Sequence, residues 1–209
     1  MYKLKAKCFE LFLFSTKLFG NSKGIYSERS EKAYMNDDIL EEIRNGSRDA
    51  FKQFYDTYQS YAIRTAKAIT KNDEYAKDAV QEAFIRVYRN ISSYKPTLSF
   101  DAWFYRILVN ECYRILTKEK KNKSVDTSAM ENSEHLTEQS NENLSDLYSM
   151  IQNMADTYRI PILLKYIKGF SEKEIASILD LNQNTVKSRL FNGRNLLKTQ
   201  LEMMEMEGI

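Results

Sequence analysis

Two amides, a hydroxyl and two cations fall within seven residues of this chain: Gln183, Asn184, Lys187, Ser188 and Arg189. Amides and guanidinium groups hydrogen-bond base edges and cations hold phosphate oxygens, so this set suits contact with duplex DNA. To act together the side chains need one exposed helical face, and the flanking sequence supplies it. From Phe170 to Lys198 the chain reads FSEKEIASILDLNQNTVKSRLFNGRNLLK, two short amphipathic helices joined by a tight turn, a helix-turn-helix. Ser171 and Glu174 have the spacing of a capping box at the start of the first helix. Ile175, Ile178 and Leu179 give it an apolar stripe. Asp180 stands where the turn needs a residue that tolerates a left-handed backbone, and Asn182 can cap the second helix. Val186, Leu190, Gly193 and Leu197 recur at helical spacing, so one face packs inward and Gly193 permits close approach.

Charge supports the same assignment. Between Gln183 and Gln200 the cations are Lys187, Arg189, Arg194 and Lys198 with no acid among them, although the whole chain balances 31 bases against 29 acids. A local cationic surface is what phosphates require. A surface helix with basic decoration is the plainer alternative, and the cap, the turn and the one-sided charge together weigh against it.

A second constellation lies in SFDAWFYRILVNECYRILTKEKK. Arg106, Asn110, Tyr113, Arg114 and Thr117 share one stripe of a helix, and Lys118, Lys120, Lys121 and Lys123 extend it with positive charge. Cations beside aromatics that can stack on unpaired bases grip single-stranded nucleic acid. Tyr94 in the preceding loop, which Pro96 keeps out of helix, is a further stacking candidate. Phe100, Trp103, Phe104, Ile107, Leu108 and Ile115 are expected to face a core. Upstream, DEYAKDAVQEAFIRVYRN buries Ala76, Val80, Ala83, Phe84 and Val87 and turns Asp78, Gln81, Glu82 and Ile85 outward. That face reads either as solvated surface or as a docking strip for a basic protein partner. The helix before it carries Phe51, Phe54, Tyr58, Tyr61, Ala62, Thr65, Ala66 and Ile69 as a core stripe.

These elements imply an all-α protein: six Gly and two Pro in 209 residues, with no alternating β-branched runs, leave little for strands. A hydrophobic content of 43% supports two small cores better than one continuous one. Residues 122–145 hold Asp126, Glu131, Glu134, Glu138 and Glu142 and almost no large apolar side chain, the composition of a flexible linker. The expected organisation is therefore an N-terminal extension at 1–34, a helical domain at 35–121, the acidic linker at 122–145 and a helix-turn-helix domain at 146–203. Residues 1–34 superficially resemble a signal peptide, but Glu10 interrupts the apolar run and no small-residue cleavage site follows, so a flexible extension with Met35 as the working start is the reading. Cys8 and Cys112 are too few for a disulfide framework or a zinc site, which makes the reducing cytoplasm the default. His135, the single histidine, sits in the linker with no nucleophile or ligand pattern around it. No cofactor, metal or catalytic residue is expected.

In order and register, DAVQEAFIRVYRN, SFDAWFYRILVNECYR, the acidic linker and RIPILLKYIKGFSEKEIASILDLNQNTVKSRLFNGRNLLK resemble bacterial RNA polymerase sigma factors of the extracytoplasmic-function (ECF) type, in the sigma-70 family. The resemblance covers residues 37–201. It implies that the front block is region two, docking on the beta-prime clamp helices of RNA polymerase core and melting the −10 element. The rear block is then region four, reading the −35 element of promoter DNA and contacting the beta flap. Asp78, Gln81 and Glu82 fall at the family's polymerase-docking positions, with Ile85 beside them. Trp103, Arg106 and Asn110 match its W-x-x-R-I-x-x-N signature, and the single-strand surface would comprise Tyr94, Arg106, Asn110, Tyr113, Arg114 and Lys118. Thr185, Val186, Lys187, Ser188 and Arg189 match its T-V-K-S-R reading helix, to which Gln183 and Asn184 add duplex contacts. The resemblance further implies control by an anti-sigma factor, in this family often membrane-bound, a role in stress response, and no small-molecule substrate.

The chain departs from the family pattern at Asp180, where glycine is frequent, at Gly193, where alanine is frequent, at Pro161, expected in the first turn of the preceding helix, and in having the extension. Two other classes remain. A helix-turn-helix regulator that binds duplex DNA without being a polymerase subunit would share the rear motif but would need a receiver or ligand domain, for which no β/α alternation exists. A nucleic-acid enzyme would need clustered carboxylates or metal ligands, and the absence of any HExxH, CxxC or P-loop pattern lowers that reading.

Overall fold

The fold is that of a computed structural model, which describes residues 35–123 and 149–207; the extension, most of the linker, Cys8 and His135 lie outside these. Every regular element among the described residues is helical. The helices gather into two compact units, α1–α4 forming one and the segments after the acidic stretch the bulk of the other.

In the first unit, α1 (Asp37–Arg44), α2 (Arg48–Thr70), α3 (Asp73–Asn90) and α4 (Phe100–Lys123) each begin where a short polar side chain can accept an orphan backbone N–H. Asn36 Oδ1 accepts from Asp38 N at 3.2 Å, Ser47 Oγ from Ala50 N at 3.2 Å, Asn72 Oδ1 from Tyr75 N at 2.9 Å and Ser99 Oγ from Ala102 N at 3.3 Å. The break between α2 and α3 is made by Lys71 in the left-handed region (φ 56°). A short 3-10 turn, Ile91–Ser93, leads to the Pro96 loop.

The core forms around Phe54, which is fully buried and meets the rings of Tyr58, Phe84, Phe100 and Phe104 at centroid distances of 5.0, 5.1, 5.4 and 5.5 Å. Tilted and edge-on rings at these separations gain about 0.5–1.5 kcal/mol each beyond their area burial. Ala62, Ala66, Ala76, Ala79 and Ala83 let α2, α3 and α4 approach closely around them. Tyr58 Oη donates to the Asp101 carboxylate, tying α2 to the first turn of α4. Of the six residues expected inside α4, Phe100, Phe104, Leu108 and Ile115 are buried, while Trp103 and Ile107 are half-exposed.

In the second unit, residues 149–153 are helical and are followed by α5 (Asp156–Ile162), a single wide turn at Leu163–Ile167, α6 (Glu172–Leu179) and α7 (Gln183–Glu207). Pro161 is the sixth residue of α5 rather than part of its first turn. The expected placement is corrected: proline here removes an i→i−4 bond, and the helix continues as a π turn closed by Lys168 N to Leu163 O at 3.2 Å. Gly169 (φ 68°) ends it. Nor is the second helix of the helix-turn-helix short: α7 runs 25 residues, so its C-terminal half extends beyond the motif.

Candidate nucleic-acid interface

Local chemistry fixes the rear surface. Ser171 Oγ accepts from Glu174 N at 3.2 Å while Glu174 Oε2 accepts from Ser171 N at 2.9 Å, so both sides of the capping box form. Asp180 adopts φ 53° and Leu181 N donates to Ala176 O at 2.9 Å, the 6→1 bond of a helix-ending Schellman turn, so an aspartate takes the place of the glycine frequent there. Asn182 Oδ1 accepts from Asn184 N at 2.8 Å and starts α7. Val186, Leu190, Gly193 and Leu197 are buried, and a Cβ on Gly193 would stand 2.6 Å from Ile162 Cδ1 and 3.3 Å from Tyr158 Cβ. That close packing of α7 on α5 sets which face of α7 looks out.

On that outward face Gln183, Asn184, Lys187 and Ser188 are exposed, and Thr185 and Arg189 are half-exposed. The four cations are not equivalent. Arg194 Nη1 donates to Tyr166 Oη at 3.1 Å and Lys198 Nζ lies 3.6 Å from Glu202, whereas Lys187 and Arg189 hold no ion-pair partner among the described residues. Only Lys198 is ion-paired, and Arg194 keeps its charge but is turned to Tyr166, so the cations left with neither kind of partner stand at the start of α7, beside the amides.

The front unit presents two further surfaces. On α3, Asp78 and Gln81 are exposed and Glu82 and Ile85 half-exposed, and neither Asp78 nor Gln81 is hydrogen-bonded among the described residues. On α4, Arg106, Asn110, Tyr113, Arg114, Thr117 and Lys118 all lie exposed on the outer side, as their spacing predicts. Tyr94 is not with them. It is 8% exposed, its ring packs at 5.3 Å from Trp103 and 5.5 Å from Phe100, and its hydroxyl donates to Leu98 O at 2.9 Å. Tyr94 thus closes the Pro96 loop over the core in this conformation and offers no face for stacking. The loop forms as expected, but Tyr94 turns inward, because a tyrosine there can satisfy its hydroxyl locally and bury its ring.

Sequence reasoning missed Glu111. It is 2% exposed on the inner side of α4; one carboxylate oxygen accepts the Nε–H of Arg114 and the other is ion-paired with Arg86 Nε, each at 2.6 Å. The i,i+3 spacing of Glu111 and Arg114 was a signal; the partner on α3 was not readable from spacing.

Residues 54–122 match Sigma-70 region 2 and residues 144–197 match Sigma-70, region 4. Over 177 residues the chain is 32% identical to the ECF RNA polymerase sigma factor SigW of Bacillus subtilis, covering 78% of this chain and 94% of that protein. Over 179 residues it is 31% identical to the ECF RNA polymerase sigma-E factor of Escherichia coli, covering 78% and 93%. Among solved structures it is similar to the sigma factor RpoE in complex with the anti-sigma factor NepR from Bartonella quintana, with TM-score 0.63, 25% identity and coverage of 73% and 96%. The fold is also that of CnrH in complex with the cytosolic domain of CnrY, with TM-score 0.59, 20% identity and coverage of 79% and 96%. A duplex-binding regulator would share the rear match but has no reason to carry the front one. With both regions present in order, and relatives covered over nearly their whole length, the chain belongs to the ECF RNA polymerase sigma factors of the sigma-70 family.

Proposed function

We propose that this chain recruits RNA polymerase core to promoter DNA and divides the task between its two units. The rear unit reads duplex at the −35 element through Gln183, Asn184, Thr185, Lys187, Ser188 and Arg189. The front unit docks on the beta-prime clamp helices through Asp78, Gln81, Glu82 and Ile85 and holds the melted −10 strand on Arg106, Asn110, Tyr113, Arg114 and Lys118. The observation that carries this reading is the exposed amide, phenol and guanidinium stripe of α4, a surface that a duplex reader would not need. The chain supplies recognition and strand capture while the polymerase supplies the chemistry, so it is not itself an enzyme and works in the cytoplasm. No helix among the described residues is long and apolar enough to cross a membrane. The similar solved structure of RpoE is a sigma factor in complex with the anti-sigma factor NepR, and an anti-sigma partner is the proposed control here as well.

Charge reversal tests the docking face. Asp78→Lys with Glu82→Lys alters side chains that the fold leaves at the surface, so helical content is expected to be unchanged while affinity for core polymerase falls about tenfold or more. Unchanged affinity in a titration with core polymerase would remove the docking assignment.

A further inference from the structure

The buried carboxylate of Glu111 does more than join two helices. Salt bridges commonly pair one acid with one base, whereas here one acid anchors two arginines from different helices, Arg86 on α3 and Arg114 on α4. Both bind through Nε. Their side chains remain about half exposed, at 49% and 47%, and the Nη groups make no hydrogen bond among the described residues. A guanidinium held by Nε alone still has donors pointing outward in a fixed fork, the arrangement that grips phosphate oxygens bidentately. Two cations share one bound acid at this point, and Glu82 acts on Arg114 electrostatically as a second negative charge without an ion pair.

The geometry points to Arg86 and Arg114 as a two-arginine clamp for a backbone phosphate of single-stranded DNA, with Glu111 as the residue that positions them. The inference rests on the strand-holding role proposed for α4 and adds a residue outside that helix. Arg114 stands on the same exposed stripe as Asn110 and Tyr113, so a strand whose bases meet those side chains would carry its phosphates past the α4 end of the clamp. Arg86 extends the surface onto α3. Holding the two forks in advance reduces the side-chain ordering that contact with a flexible strand would otherwise require. A role confined to stapling α3 to α4 would not need the outer donors of either arginine to remain exposed.

The test uses the full chain assembled with core RNA polymerase. Two DNAs are compared, a fork junction with a single-stranded non-template overhang and the same duplex without the overhang, each titrated over a range of salt concentrations. Arg86→Ala is expected to weaken fork binding several-fold and to lower the steepness of log K against log salt by about 0.7, the value of one single-strand phosphate contact, with no change on the blunt duplex. Arg86→Gln, which keeps an amide donor for Glu111 but no charge, is expected to lose the same slope and covers the case in which the alanine variant misfolds. Glu111→Gln raises the net charge, so simple attraction predicts tighter binding; positioning predicts weaker fork binding at a temperature where helical content is intact. An unchanged slope for both Arg86 variants, or fork binding by Glu111→Gln that is equal or tighter, would overturn the clamp. If the unaltered holoenzyme itself shows no preference for the fork, the strand-holding role fails and the clamp falls with it.

Discussion

Replacing Gly193 with alanine sets two effects of known sign against each other. Mid-helix, alanine gains about 1 kcal/mol over glycine in intrinsic propensity. At this position, however, the new methyl would stand 2.6 Å from Ile162 Cδ1 and 3.3 Å from Tyr158 Cβ. Ile162 is 3% exposed, so its terminal methyl has no solvent to move into, and Tyr158 Cβ is tied to the α5 backbone. Overpacking of this kind costs about 1–3 kcal/mol. The balance predicts a net loss of about 1 kcal/mol for Gly193→Ala, or a fall of roughly 4–8 °C in the melting of a unit this size. Ile162→Val removes the atom at 2.6 Å and leaves its Cγ1 neighbour at an ordinary 3.4 Å. Alone it costs about 0.5–1.5 kcal/mol, but in the Gly193→Ala background the cost is expected to vanish, giving a coupling of about 1 kcal/mol. The assay is thermal and urea unfolding followed by far-UV ellipticity. Trp103, the single tryptophan, lies in the other unit, so its fluorescence transition serves as an internal control that should not move. Stabilisation by Gly193→Ala, or strict additivity with Ile162→Val, would refute the close approach of α7 to α5 as the reason for glycine.

On α7, Lys187→Ala or Arg189→Ala is expected to cost about 1–3 kcal/mol in −35 duplex binding where the residue meets a base edge, and to flatten the salt dependence where it meets phosphate; Arg194→Ala, already engaged by Tyr166, is expected to do neither. Equal effects for all three substitutions in a binding titration would show that the partnering of α7 cations does not matter. In the front unit, burial, reinforced by the neighbouring Glu111 charge, pushes the Cys112 thiol up from 9.0 to about 12. The folded state therefore keeps a proton that the unfolded chain releases, and stability present below about pH 9 is lost as pH rises toward about 12, by roughly 1 kcal/mol per pH unit. Cys112→Ala is expected to flatten that part of the decline in Trp103-detected unfolding, and a parallel decline would contradict it.

Much of the rear motif was legible because it is built from neighbours in sequence. The Ser171–Glu174 box, the left-handed Asp180 and the Asn182 cap each depend on contacts within a turn or so of chain, and each formed as the residue types dictate. The inward stripe of α3 was legible for the same reason, since helical period alone separates Ala76, Val80, Ala83, Phe84 and Val87 from Asp78 and Gln81. What escaped depends on packing between distant segments. Tyr94 folds inward because Phe100 and Trp103 offer it an aromatic wall and Leu98 an acceptor, none of which follows from its place after a turn. Glu111 escaped because an acid on an inner helical face is tolerated only with partners, and one of its two comes from α3. Pro161 was placed a turn too early because the start of α5 is marked by Ala155, which makes no side-chain cap hydrogen bond.

The central claim is that one chain both selects promoter DNA and opens it for polymerase. Run-off transcription with core RNA polymerase on promoters selected from a random library, with permanganate footprinting of the same complexes, measures this most directly. A discrete transcript and thymine reactivity near −10 are predicted only when the chain is present, with Asn110→Ala plus Arg114→Ala abolishing most of the reactivity and a pre-melted bubble restoring part of the transcript. Binding of the chain to selected duplex with no transcript and no opening by the reconstituted enzyme would contradict it.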